Sequence, residues 1–457
     1  MPVGPAPAEC FKPVSLTGFD SASLNRRTRP VVELFTRPMP LSPQATGSSL
    51  DVEHFLVRFG GPGEPPLPSY EDFHTNYMAK NRLCVFSYPL EPAFTEWTLE
   101  DAESEGVQDA VAGRRGTRRP NYDLLARRYG DIEVQPAGTT PSTFRHFLHG
   151  MQNGEQIYLR DWHLVSHLRS TGNHQKPYTT PLWFKDDWLN AFLDSENTDP
   201  ASRSDDYRFV YMGASGTSTL LHVDVFNSYS WSANICGTKK WTFFPPEQTR
   251  YLTNARGETI TDLRDVTPDE HPQYFENATP VVIHQHAGEL IFVPSSWWHQ
   301  VENIGETMSI NHNWCNATNL PNIFENLASD LAYIREAIAE HREQMGEREW
   351  GEHCQLMLKA NNAGFGYRML GRFWRFHARR LLGLIGRGTG DGELDEHASD
   401  TDSAPWLKPK LLIESLAVLN DVWQLWTRDE WVLSILEDED AALSEHMQTI
   451  LAPTVAS

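Results

Sequence analysis

Cysteine is scarce and scattered in this chain of 457 residues. Cys10, Cys84, Cys236, Cys315 and Cys354 form no CxxC pair and no zinc-finger spacing, which excludes a disulfide framework and fits a reducing compartment. No stretch is apolar enough to span a bilayer. The first twenty residues carry neither a basic start followed by an apolar run nor an Arg-rich amphipathic presequence. The expected location is therefore the cytoplasm, with the nucleus also open, and no membrane contact is expected. No internal repeat is present. Cations are also short: 39 Lys+Arg stand against 61 Asp+Glu, a net charge of −22. That balance argues against a general binder of phosphate backbones, so no direct nucleic-acid partner is expected. It suits a basic protein partner instead.

What is abundant is apolar and aromatic: 40% hydrophobic residues, 11% aromatic, with 15 Trp and 22 Phe, enough to bury a large core. Residues 1–48 are rich in Pro, Ser and Thr and read as a mobile arm. Residues 49–200 mix short apolar runs with helical patterns such as Asn121 to Tyr129, an α+β entry region. Within it, 103–119 reads as an exposed insertion ending in arginines. From 201 to 320 the pattern is one of many short strands separated by Gly, Pro, Asn and Asp, which predicts a barrel or jelly roll. Residues 321–457 are helical, with Ile323, Phe324, Leu327, Leu331, Ile334 and Ile338 on one face. Helical stretches recur near 366–385 and 409–426. Residues 386–405, rich in Gly and acid, read as a disordered linker.

Chemistry concentrates in the strand-rich part. In a strand beginning at His222, period-two geometry places His222 and Asp224 on one face. An HxD triplet is common and needs a third ligand. Gly288-Glu-Leu-Ile-Phe-Val-Pro294-Ser-Ser-Trp-Trp-His299-Gln-Val-Glu-Asn303 supplies one: a glycine turn, a strand, a proline stop and a short return to His299. Its spacing resembles the second cupin motif, G-x5-P-x-G-x2-H-x3-N, with Ser296 in place of the middle glycine. Together His222, Asp224 and His299 read as a two-His-one-carboxylate set, which binds non-haem Fe(II) and leaves coordination positions open. His284 and His286 form a rival pair without a carboxylate at that spacing and read as edge-strand residues.

Gly237-Thr-Lys239-Lys240-Trp-Thr-Phe-Phe-Pro-Pro246 puts two lysines on opposite sides of a strand, and alternation leaves the choice between them open. The segment resembles the G-x-K-x-W-x-x-F-P-P stretch of JmjC hydroxylases. That resemblance implies a double-stranded β-helix core (jelly roll, cupin) with flanking helices, and an oxidoreductase, a dioxygenase using Fe(II), 2-oxoglutarate and dioxygen. It assigns Lys239 to the C5 carboxylate of 2-oxoglutarate, helped by Thr219 and Tyr158, and Asn313 to the neighbourhood of the C1 carboxylate. Thr307, Ser309, Asn311 and Asn313 alternate along one face of their strand, a polar lining suited to a ligand cavity.

The blocks YLRDWH, DDYRFVY, SYSWSANICGTKKW and GELIFVPSSWWHQVENIGETMSINHNWCNATNLPN are similar to the JmjC lysyl hydroxylases that act in translation termination. That similarity implies lysyl C-hydroxylation of the release factor. The insertion from Thr253 to Thr279 departs from the pattern near the substrate mouth. An N-methyl-lysine demethylase would share the iron core, and a catalytically silent cupin would be a binding module. The oligomeric state is left open by the sequence.

Overall fold

The computed structural model describes residues 57–88, 96–100, 118–173, 176–196, 206–362, 364–388 and 404–452. The expected arm, almost all of the 103–119 insertion and most of the expected linker lie outside the described residues.

Nine strands form one mixed, largely antiparallel sheet: β1 (Val57–Phe59), β2 (Cys84–Ser87), β3 (Tyr158–Trp162), β4 (Arg208–Gly213), β5 (Ser218–His222), β6 (Tyr229–Phe244), β7 (Val281–His286), β8 (Glu289–Val293) and β9 (Trp298–Trp314). Their order is β1-β2-β8-β6-β9-β4-β3, with β7 added to β6 and β5 added to β9. Three of these strands come from the entry region, so that region completes the barrel's sheet.

Of the short strands expected between 222 and 314, four are fused in pairs into two long ones, while Glu289–Val293 stays separate. β6 and β9 pair antiparallel from Tyr229 opposite Trp314 to Phe244 opposite Trp298, and the register slips between Asn234 and Thr238. On one side of the slip the neighbours are β8 and β4; on the other they are β7 and β5. Two ladders thus share the same two strands, and the sheet becomes an α+β jelly roll. Gly237 sits at the slip with φ +69, and a Cβ there would lie 2.3 Å from the Glu306 carbonyl oxygen. Only glycine fits a left-handed residue so close to another backbone.

Alternation along the long strands separates core from cavity. Tyr229, Trp231 and Ala233 of β6 and Ile310 and Trp314 of β9 are buried in an aromatic core with Phe73, Phe86, Phe184 and Phe292. Ser230, Ser232 and Asn234 lie on the other face, directly across from Asn313, Asn311 and Ser309. In the entry region, α1 (Tyr122–Tyr129) is capped by the Asn121 side chain, followed by α2 (Phe144–Gln152), α3 (Leu164–Ser170) and α4 (Trp188–Glu196).

The C-terminal region is helical: α5 (Leu320–Ala337), α6 (Glu347–Asn361), α7 (Tyr367–Gly388), α8 (Pro409–Trp426) and α9 (Asp438–Leu451). The α5 face from Ile323 to Ile334 is buried, and Trp374 stacks on Trp423 at 4.0 Å. α7 runs to Gly388, so the linker expected from 386 begins later, because Leu381 and Leu382 still pack into the helical core. The arginines of α7 are neutralised by acids of other helices, Arg368 by Glu352, Arg372 by Glu196, Arg375 by Glu437 and Arg379 by Glu439. No helix among the described residues is long and apolar enough to cross a membrane.

Gly237→Ala is expected to lower unfolding free energy by roughly 2 to 4 kcal/mol, the combined cost of a left-handed alanine and a backbone clash. A thermal melt reads it as a fall in Tm; an unchanged Tm means that the β6–β9 crossing relaxes without cost.

Candidate active site

β5 and β9 run side by side with His222 directly opposite His299, and the imidazole rings lie 4.2 Å apart between centroids. Asp224 reaches the same point by a different route from the one its spacing suggests. β5 ends at His222, and Asp224 stands beyond it, at the entrance to a turn in which Phe226 and Asn227 both take left-handed φ, 58° and 54°. Strand alternation therefore does not place the carboxylate; the turn does. Ligand atoms of His222, Asp224 and His299 all lie within 4.8 Å of one another, and among the described residues they form the one such group of His, Cys, Asp and Glu.

The donors are prepared for a metal. Nδ1 of His222 is 2.8 Å from the Leu220 carbonyl oxygen and Nδ1 of His299 is 3.0 Å from that of Trp297. A carbonyl only accepts, so both Nδ1 atoms carry the proton and both Nε2 lone pairs are free. Burial and the neighbouring His222 bring the His299 pKa down to about 4, opposed by Asp224, so its ring is neutral at pH 7. The Ser230 hydroxyl donates to Asp224 Oδ2 at 2.7 Å, leaving the other oxygen available. Two imidazole nitrogens and one carboxylate oxygen fit a divalent first-row metal. Ser296, standing where the cupin motif has glycine, takes φ 63, so the turn keeps the backbone that glycine favours.

The two lysines of β6 separate cleanly. Lys240 pairs with Glu302 at 3.1 Å on the outer face. Lys239 is 2% exposed; its Nζ donates to Ser309 Oγ at 2.6 Å and lies 5.2 Å from the Tyr211 ring centroid. Among the described residues no carboxylate pairs with Lys239, and burial lowers its pKa to about 7. A buried cation without an anion is costly, and an incoming carboxylate would supply the missing charge. Tyr158 and Thr219 share a hydrogen bond of 3.2 Å, and burial raises the Tyr158 pKa to about 12. Asn313, on the polar face of β9, donates to the Ser228 hydroxyl at 3.1 Å. His284 and His286 lie on β7, which pairs only with β6; the intervening Gln285 points into the core, so the two imidazoles face away from the site.

Tyr211, Ser230 and Ser232 escaped the sequence reading, whereas Ser309 was already on the expected polar face. Ser309 accepts from both Lys239 and Asn311, the Tyr211 ring lies 6.1 Å from that of Tyr158 and its hydroxyl donates to Asp161 at 2.5 Å, and Ser230 anchors Asp224. The Ser232 hydroxyl, on the same strand face as Ser230, is buried without a hydrogen-bond partner. The alternating Ser228-Tyr-Ser-Trp-Ser-Ala-Asn234 was the available signal: small polar residues at period two opposite a polar strand.

Lys239 carries a pH signature. Its folded pKa near 7 lies below the ordinary 10.5, so the unfolded chain holds a proton that the folded chain sheds between those values. Stability of the ligand-free protein therefore rises over that window. Lys239→Met is expected to be more stable than the parent at pH 7, with an advantage that shrinks as pH rises toward 10, read by paired thermal melts. A pH-independent difference shows that this ammonium carries no burial penalty.

Comparison with known proteins agrees with this geometry. Residues 70–320 match the cupin-like domain family. The 2-oxoglutarate and iron-dependent oxygenase JMJD4 of Gallus gallus is 33% identical over 400 residues, covering 81% of this chain and 84% of that protein. The Homo sapiens protein of the same name is 33% identical over 393 residues, 81% of this chain and 86% of its own length. The arginine-specific demethylase JMJ20 of Arabidopsis thaliana is 35% identical over 346 residues, 69% of this chain and 68% of that protein. By its match over more than half its length and by these relatives, the chain belongs to the cupin-like JmjC family of 2-oxoglutarate and iron-dependent oxygenases.

Proposed function

We propose that this chain is a 2-oxoglutarate- and Fe(II)-dependent protein hydroxylase that oxidises a lysyl side-chain carbon, with the translation release factor as its substrate. The observation that carries the reaction class is the juxtaposition of three metal-ready donors with a buried lysine that lacks an anionic partner. The substrate rests on the sequence similarity and on the acidic balance of the chain, which favours encounter with a basic partner. The cytoplasm, where translation terminates, is the proposed compartment.

His222, Asp224 and His299 would hold Fe(II), and the bound metal with 2-oxoglutarate and dioxygen supplies oxidative decarboxylation to succinate and carbon dioxide together with oxygen insertion into a C–H bond. The protein's part is position and charge. Lys239, with the Tyr158–Thr219 pair, would bind the distal carboxylate of the cosubstrate, and Asn313 would bind its C1 carboxylate. Ser230 keeps one oxygen of Asp224 occupied, and the other would be the one to hold the metal. A carboxylate beside Nζ holds the Lys239 proton in place, and the surrounding burial strengthens that attraction. The chemistry calls for no side-chain general base.

A second reading follows from the relative named as an arginine-specific demethylase: the same core acting on an N-methyl group releases formaldehyde. The two separate in one experiment. The protein is incubated with Fe(II), 2-oxoglutarate and the release-factor N-terminal domain in air, with His299→Ala as control. A gain of one oxygen atom on a lysine by intact-peptide mass spectrometry, lost in the variant, is the expected result. An unmodified domain beside robust succinate formation rejects this substrate. Formaldehyde from methylated peptides moves the assignment to demethylation, and a chain that turns over nothing above the His299→Ala control is a silent cupin.

A further inference from the structure

We infer that the C-terminal helical region is a working part of the metal centre: through Phe226 it fixes the turn that presents Asp224, making Phe226 and Phe365 positioning residues for the third ligand. The inference rests on the metal reading of the triad and extends it beyond the barrel.

The argument begins with strain. Phe226 has φ 58 and ψ 16, and Asn227 follows it at φ 54. A bulky side chain in the left-handed region is disfavoured by roughly 1 to 2 kcal/mol per residue and persists only where surrounding packing over-determines it. The turn's own hydrogen bonds are few: Asn227 N–H donates to the Asp224 carbonyl at 3.1 Å and Ser228 N–H to that of Val225 at 3.0 Å. Val225 is exposed, so it contributes no anchor. Phe226 is 4% exposed and belongs to the core of the helical region.

Its ring lies 5.2 Å from Phe365 and 5.4 Å from Tyr207, and α5 packs against the turn. Phe365 lies between α6 and α7 and is itself held. Its N–H donates to the Asn362 carbonyl at 2.7 Å, and Asn362 Nδ2 donates to Asp330 of α5 at 3.0 Å. A continuous chain of contacts thus runs from α5 through Asn362 and Phe365 to Phe226, two residues past the Asp224 carboxylate. His222 and His299 need no such support, because a strand ladder fixes both. Asp224 has only Ser230 and this turn. Loosening Phe226 therefore frees one ligand while sparing the other two.

The test uses the full chain and Co(II) as a probe that needs no turnover. Visible absorbance follows Co(II) titrated into the metal-free protein, and thermal melts run in parallel. Phe365→Ala is expected to raise the Co(II) dissociation constant about tenfold, the usual scale for losing an outer support, and to change the ligand-field spectrum. Phe365→Leu restores most of both. Leu419→Ala, a cavity in α8 beside Trp374, is expected to lower Tm comparably with affinity and spectrum unchanged. Parental affinity in Phe365→Ala, or equal weakening in Leu419→Ala, overturns the inference. If Phe365→Ala does not fold, Phe226→Leu decides: a weakened site at near-parental Tm supports the brace, and parental affinity refutes it. A parent chain with no Co(II) site that His299→Ala abolishes would sink the metal reading itself, and the brace with it.

Discussion

The antiparallel pairing of β6 with β9 is the frame on which the site is built, and the strands and turn that carry His222, Asp224, Thr219, Tyr158 and Tyr211 are added around it. It brings Lys239, Ser309, Asn313, Ser230 and His299 onto two adjacent strands, and the register slip at Gly237 lets the same two strands serve both ladders of the jelly roll. Backbone hydrogen bonds set this geometry, so positions of site residues depend little on side-chain flexibility. The aromatic core on the opposite face sets which side of each strand is the cavity, since a one-residue shift would exchange Trp231 for Ser230 and Ile310 for Asn311.

The cavity's polarity is costly to folding. Among the described residues Lys239 is buried without a counter-charge and the Ser232 hydroxyl without a partner, and each lowers stability. Strain at Asp161, Phe226, Asn227 and Ser296, all with positive φ, lies in the same neighbourhood. Compensation comes from the tightly packed aromatic layer and from the helical region, whose buried Trp and Leu side chains pack where no chemistry is required. The helical region is joined to the catalytic layer at a ligand-bearing turn, so the two parts of the chain are coupled mechanically as well as by sequence.

Electrostatics sorts the ionisable groups into two kinds. The α7 arginines are paired with acids from other elements, so their charge is largely neutralised within the protein. Exposed pairs of this kind add little stability each. Lys239 is the opposite case: no acid among the described residues answers it, and burial lowers its pKa to about 7.

The sequence by itself offered His222, Asp224, His299 and Lys239 as candidates, through an HxD triplet, a glycine-to-histidine spacing and a resemblance to JmjC hydroxylases, and the fold brings the first three together. It also determined the buried face of α5 through its helical period, and the polar face of β9 through strict alternation. It did not reveal that four of the strands between 222 and 314 fuse into two, since the fusion depends on a bulge and on pairing partners far away in the chain. Nor did it show why Asp224 joins the histidines: alternation suggested a strand, whereas a left-handed turn held by Phe365, well over a hundred residues later, does the placing. α6 and α9 lie in the region read as helical but were not singled out in it, because their faces are covered only in the assembled bundle. The choice between Lys239 and Lys240 needed either family resemblance or the fold, because alternation says that two neighbours face opposite ways and only tertiary packing says which way is in.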